Sequence, residues 1–334
     1  MMHEPSTRLD ATFRDAVHVK RQRVVIRGAT AGLFSHSLLP LMVRRSARPR
    51  AVPAANVASE LVSIIESASG KAPMHFRIIA ASFLIVCALD STARAQEQIT
   101  VAAASDLQFA MQDIARQFEE QTGNHVRLSF GSSGNFFAQI QNGAPFDLFF
   151  SADRQYPEKL EQGELTEPGT LRDYAMGKLV LWVPSGSKLD LHQGLKALAD
   201  PSVQRISIAN PEHAPYGKAA VAALRHEGLY DTVSRKFVLG ENISQAATFV
   251  SSGNADAGLL ALSLALAPAM KEKGRYIEIS PDEYPHLEQA AVVLKSSKNK
   301  AVARQFMDFI SSPPIVELLR NNGFSVPSGS RDSK

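Results

Sequence analysis

The chain has 334 residues, 45% of them hydrophobic and 21% charged, with 20 Gly and 18 Pro. This globular composition excludes collagen-like, coiled-coil and wholly disordered chains, and the single cysteine, Cys87, excludes an intrachain disulfide or a CxxC metal site. Of the 36 Lys+Arg and 33 Asp+Glu, 13 and 6 lie in residues 1–95, leaving 23 and 27 and a net charge of −4 for 96–334, so no nucleic-acid partner is expected.

The front of the chain reads as an address label. From Met74 the sequence runs MHFRIIAASFLIVCALDSTARAQ: His75 and Arg77, twelve largely apolar residues from Ile78 to Leu89, then Ala93-Arg94-Ala95. This predicts a secretory signal peptide over 74–95, cleaved after Ala95, and hence an exported protein. Twelve residues are too few for a membrane-spanning helix. Acylation at Cys87 is not expected, because Leu84-Ile85-Val86 precede it where a lipobox has small residues. Residues 1–73 are rich in Arg, Ser, Ala and Pro, with Arg44, Arg45, Arg48 and Arg50 clustered. They are expected to be a non-native extension upstream of Met74, or a disordered leader or arm.

Strand and helix patterns alternate from residue 99. Ile99–Ala104 predicts a buried strand. Asp106–Thr122 predicts a helix, with Leu107, Ala110, Met111, Ile114 and Phe118 on one face, Ser105 as its N-cap and Gly123 as its stop. A strand over His125–Gly131, a helix over Asn135–Gln141 and a strand over Asp147–Ala152 follow. Tyr156–Gln162 reads as a helix interrupted by Pro157, and 164–173 as a loop. Beyond it, strands are expected at Leu179–Val183, Ile206–Ala209, Phe237–Gly240, Ala257–Leu262 and Ala290–Leu294. Helices are expected at Gln193–Ala199, Lys218–His226, Ser244–Ser251, Lys300–Ile310 and Ile315–Asn322. The alternation argues for an α/β protein with parallel sheets between helices. No repeat and no compositional linker divides 96–334.

Ligands of such sheets bind beyond the strand C-termini, where loops feed helix starts. Four junctions have that form: Ala104-Ser105-Asp106-Leu107, Gly131-Ser132-Ser133-Gly134-Asn135, Asn210 to Lys218 (NPEHAPYGK), and Gly240-Glu241-Asn242-Ile243-Ser244. Each offers unpaired N–H groups and the positive end of a helix dipole, so together they could hold a small anion without a fixed positive charge. Taken singly, each Ser is as readily an N-cap or turn residue, and Tyr216 a half-buried aromatic.

Residues 98–326 resemble the periplasmic molybdate-binding proteins of ABC importers. The stretches that carry the resemblance are ITVAAASDL (99–107), MQDIARQFEEQTG (111–123), FGSSGNFFAQIQNGAPFDLFFSAD (130–153), NPEHAPYGKAA (210–220) and GFSVP (323–327). The resemblance implies an α/β, two-lobed periplasmic-binding-protein fold of type II, a venus flytrap, each lobe a mixed sheet flanked by helices. Lobe 1 is expected at 97–180 plus 285–328 and lobe 2 at 181–284, with hinge crossovers near 175–182 and 281–289. It implies oxyanion contacts from the hydroxyl and N–H of Ser105 and Ser133 and from the backbone N–H of Tyr216 and Ile243, with the N–H of Asp106 as a further donor. Some members add a Tyr hydroxyl near 257–262; here Leu260-Ala261-Leu262 leaves Ala261, so either the Tyr216 hydroxyl substitutes or the site is looser. Molybdate or tungstate would be bound through its oxygens, with no direct metal ligand and no cofactor. The implied partner is a membrane ABC permease, and the binding protein is expected to be a monomer.

Neutral donors suit a tetrahedral dianion, which offers only acceptors. Cavity size is expected to separate sulfate from the two larger metal oxyanions. No enzyme is expected. Among His125, His192, His213, His226 and His286 there is no HxH or HExxH pair, no G-x-S-x-G elbow accompanies the serines, and GSSGN lacks a phosphate-loop Lys. His213 is expected to structure its loop, and Lys218 to face solvent. The alternatives are a binding protein for sulfate or phosphate, with Asp106 as the one possible acceptor for a protonated oxygen, or a flytrap-type ligand-sensing domain. The latter lacks a helix-turn-helix pattern in 1–95.

Overall fold

The computed structural model describes residues 96–326. The readings of a signal peptide, its cleavage site and an extension fall outside the described residues. No helix among those described is long and apolar enough to cross a membrane.

In chain order the elements are β1 (Gln98–Ala104), α1 (Gln108–Thr122), β2 (His125–Gly131), α2 (Ser133–Gln141), β3 (Leu148–Ser151), α3 (Gln155–Gln162) and β4 (Arg172–Gly177). They continue as β5 (Leu179–Pro184), β6 (Ile206–Ala209), α4 (Pro215–His226), β7 (Phe237–Gly240), α5 (Ile243–Ser251), β8 (Ala257–Ala261) and β9 (Gly274–Glu278). The chain closes with β10 (Leu287–Val293), α6 (Lys300–Ile310) and α7 (Pro313–Asn321). Short helical turns at 230–233, 262–265 and 268–271 complete the path.

Two five-stranded sheets result, ordered β2-β1-β3-β10-β4 and β7-β6-β8-β5-β9. The alternation of strands and helices predicts parallel sheets, but both sheets are mixed. β10 runs antiparallel to β3 and β4, and β5 antiparallel to β8 and β9. These are the strands by which the chain changes sheet. It leaves the first sheet between Gly177 and Leu179 and returns between Glu278 and Leu287.

Local chemistry explains most of the elements. The apolar stripe of α1 buries Ala110, Met111, Ile114 and Phe118, and Gly123 ends it in a left-handed conformation (φ 73°) that only glycine adopts without cost. Phe118 meets Phe306 of α6 edge-to-face with centroids 5.0 Å apart, which fastens α6 to α1. Leu179 to Val183 of β5 are buried throughout, as expected of a strand covered on both faces.

The departures from expectation have local causes. Ser105 does not cap α1; it opens a single 3₁₀ turn, Ser105–Leu107, and α1 starts at Gln108 without a side-chain cap. Pro157 does not interrupt α3, because it lies in the first turn, where an N–H has no acceptor to lose. Residues 191–199 form 3₁₀ turns kinked at Gly194 (φ 61°) rather than one helix. β4 and β9, unrecognised in the sequence, are sheet edges whose charged and half-exposed residues (RDYAMG and GRYIE) blur the apolar signal.

Register sets up the site. β1 and β2 are parallel and level, Ala104 opposite Gly131, and β6 and β7 likewise place Ala209 opposite Gly240. The loops that follow these four strands therefore start side by side in two pairs.

Candidate functional site

The four junctions meet across a small cavity with about 10 Å³ of room for the centre of a water-sized sphere. Its walls include Ser105, Asp106, Ser132, Ser133, Tyr216 and Ile243, so all five residues singled out from the sequence lie on one cavity. No Lys or Arg is among its lining residues.

Each wall is a helix start. Ser132 caps α2 by accepting a hydrogen bond from Asn135 N (3.4 Å), which puts Ser133 at the first helical position. Pro215 opens α4, fixing the backbone before Tyr216 without removing a needed donor. Gly217 lets this start press against β6, since a Cβ there would lie 2.1 Å from the Ala209 carbonyl oxygen. Asn242 caps α5 through Gln245 N (3.0 Å) and puts Ile243 first. The N–H groups of Ser133, Tyr216 and Ile243 thus stand where their own helices provide no acceptor.

The two serine hydroxyls differ. Ser133 is fully buried and its Oγ accepts from Ala152 N at 3.0 Å, so its own proton is left to donate elsewhere. Ser105 Oγ lies 3.2 Å from Asn242 Oδ1 and 3.4 Å from Ser244 N, bridging the two sheets' loops. Ser244 Oγ donates back to Ser105 O at 3.0 Å. The Ser105 hydroxyl must turn from Asn242 before it can donate to a guest.

Asp106 is the one carboxylate among the wall residues, and it is 1% exposed. Its Oδ2 accepts from Gln289 Nε2 at 2.6 Å, while Oδ1 has no partner. Burial pushes its pKa up to about 6, partly offset by the approach of Gln289 and the Tyr216 hydroxyl. Gln289 also touches the Tyr216 hydroxyl (3.4 Å) and accepts from the Tyr174 hydroxyl (2.8 Å). Burial, with the Asp106 charge next in importance, drives both tyrosines well above the ordinary range. The Tyr216 hydroxyl therefore belongs to a buried network beside Gly177, where the chain changes sheet. Ala261 is itself buried, at the end of β8.

The rim holds contacts that sequence reasoning missed. His213 Nδ1 lies 2.9 Å from Ser132 Oγ, and its carbonyl accepts from Gly134 N at 2.9 Å. Glu241 reaches Asn135 across the same opening. Lys218, expected to face solvent, is exposed but places Nζ 3.1 Å from the Tyr156 hydroxyl and over that ring at 5.0 Å. Only the histidine loop left any signal in the sequence; the partners lie 62 to 106 residues away.

Known proteins are similar to this chain in sequence and fold. The family described as bacterial extracellular solute-binding protein matches residues 99–325. The molybdate-binding protein ModA of Azotobacter vinelandii is 40% identical over 243 residues, covering 73% of this chain and 94% of that protein. The protein of the same name from Rhodobacter capsulatus is 36% identical over 252 residues, covering 75% and 97%. The solved periplasmic molybdate-binding protein of Azotobacter vinelandii superposes with a TM-score of 0.66 at 38% identity, covering 69% of this chain and 99% of that one. With a family match spanning both sheets and all four junctions of the cavity, the chain belongs to the bacterial extracellular solute-binding protein family.

Proposed function

We propose that this protein binds molybdate, and equally tungstate, in the cavity between its two sheets and delivers it from the periplasm to the permease of an ABC importer. It acts by binding and release, without catalysis and without a cofactor, as a monomer. Residues 97–180 with 285–328 form one lobe and 181–284 the other, and the paired crossings between the sheets serve as the hinge. The observation that carries this reading is the cavity wall: hydroxyls and helix-start N–H groups converge from both sheets, with no Lys or Arg among them.

Physical chemistry supports it in three ways. With room of about 10 Å³ for the centre of a water-sized sphere, the cavity takes one small guest and not a drug-sized ligand. A fully ionised tetrahedral anion has only acceptors to offer, which the donors of Ser105, Ser133, Tyr216 and Ile243, with the N–H of Asp106, complement. Hydrogen bonds to a charged group contribute about 1.5–3 kcal/mol each, so several in a closed cleft suffice for tight binding after ordering costs. The relatives named for molybdate binding add to this.

One observation favours a second reading. The unpartnered Oδ1 of Asp106 could accept from a protonated oxyanion such as hydrogen phosphate. Thermal melting against molybdate, tungstate, sulfate and phosphate separates the two. Molybdate and tungstate at a hundred times Kd should each stabilise the fold by about 2.7 kcal/mol, with sulfate giving much less at the same concentration. A phosphate response exceeding that of molybdate would shift the assignment to the second reading.

A further inference from the structure

Apart from Ser132, the residues of the rim contacts do not line the cavity, and they join elements of different sheets. Gly134 lies in the first turn of α2, after strands of the first sheet; His213 and Glu241 follow β6 and β7 of the second. Gly134 has no positive φ, so α2 itself does not need glycine there. Glycine in a helix is even unfavourable, by about 1 kcal/mol relative to alanine. The need comes from across the cleft. A Cβ at residue 134 would stand 2.6 Å from the His213 carbonyl oxygen and 2.9 Å from its Cα, both backbone atoms of the opposing loop. It would also stand 2.8 Å from the Tyr156 hydroxyl, the movable end of a side chain.

Side chains complete the junction. Ser132 Oγ already accepts from Asn135 N, so its proton is available to His213 Nδ1 at 2.9 Å. His213 Nε2 then faces Glu241 Oε2 at 3.7 Å, and Asn135 Nδ2 donates to the other oxygen of that carboxylate. The chain Ser132–His213–Glu241–Asn135 passes from the first sheet's loop to the second and back. His213 is not among the residues lining the cavity.

We propose that Gly134 and His213 are positioning residues for ligand capture: the bare backbone at Gly134 allows the two halves to meet, and the His213 bridge holds them together while the anion is inside. The proposal rests on the binding-protein reading above. The residues act on the population of the closed form and through it on the apparent affinity, which falls in proportion to that population.

The test measures distances between nitroxides at Gln139→Cys and His226→Cys in the full chain carrying Cys87→Ser. Spectra are recorded with and without molybdate, and Kd is measured by calorimetry. The parent chain should contract on molybdate to one short distance. Gly134→Ala should keep its ligand-free melting temperature, fail to reach that distance at saturation, and weaken Kd about tenfold or more. His213→Ala should fold normally, show a mixture of distances, and release molybdate faster with little change in association rate. A Gly134→Ala chain that contracts like the parent with unchanged Kd would overturn the proposal. If the parent binds no molybdate, the reading under Proposed function fails by itself. The ligand-free distances then decide: a short-distance population that Gly134→Ala removes supports the contact, and identical distributions refute it.

Discussion

Replacing Ser133 with alanine should weaken molybdate binding by about 10- to 100-fold, the worth of one hydrogen bond to a charged group. The Oγ of Ser133 is fixed as an acceptor by Ala152 N at 3.0 Å, so its proton is oriented without further ordering at the moment of binding. This preorganisation distinguishes it from Ser105, whose hydroxyl is engaged with Asn242 at 3.2 Å and must exchange partners. Ser105→Ala should therefore have the smaller effect on affinity. Ser133→Ala also leaves the buried Ala152 N–H without its acceptor, which costs stability by about 1–3 kcal/mol. The ligand-free melting temperature measures that cost, and the molybdate-induced increment measures the lost contact. An unchanged increment would remove Ser133 from the donor set.

Asp106→Asn should abolish a pH dependence that the parent protein shows in both stability and binding. Burial raises the Asp106 pKa in the folded protein to about 6, above its ordinary 3.8. The folded state therefore binds this proton more tightly than the unfolded chain. Stability from this group rises as pH falls from above 6 to below 3.8, by about 3 kcal/mol in total. No cation is among the groups that act on the carboxylate; burial is offset only by Gln289, the Tyr216 hydroxyl and the backbone N–H groups of Asp106 and Leu107. A dianion in the adjoining cavity disfavours the carboxylate further, so binding takes up a proton. Affinity should fall as pH rises from 6 toward 8, by up to about tenfold per pH unit. Asparagine cannot ionise, and Asp106→Asn should bind equally across that range. Calorimetry in two buffers of different ionisation enthalpy would report the proton directly; a parent protein with no proton uptake at pH 7 contradicts this account.

The donors of the cavity were legible because they depend on punctuation. Ser132-Ser133-Gly134, Pro215-Tyr216-Gly217 and Asn242-Ile243 each mark a strand giving way to a helix, and short-range rules for caps and first turns recover which N–H groups are unpaired. The environment of Asp106 was not legible. Its partner Gln289 is 183 residues away in β10, and Tyr174 sits on an edge strand that shows no alternating pattern. Ser105 failed as a cap for the same reason. Its hydroxyl is claimed by Asn242, 137 residues on, and a contact between loops of different sheets overrides the local preference. The alternation of elements by itself suggested parallel sheets, because a strand's direction depends on where the chain crosses, which periodicity does not encode; the mixed sheets are those that the family resemblance implied. Local chemistry thus located the cavity, while long-range pairing set the charge state and the closing contacts around it.

The central claim is that a fully ionised tetrahedral anion is held by uncharged hydroxyl and backbone donors from both sheets at once. A crystal structure of the protein grown with molybdate tests it most directly. The predicted result is a single anion in the cavity, its oxygens within hydrogen-bonding distance of Ser133 Oγ and of the N–H groups of Ser105, Ser133, Tyr216 and Ile243. An anion paired with an Arg or Lys side chain, one bonded to donors of a single sheet, or a cavity without anion at saturating molybdate would contradict it.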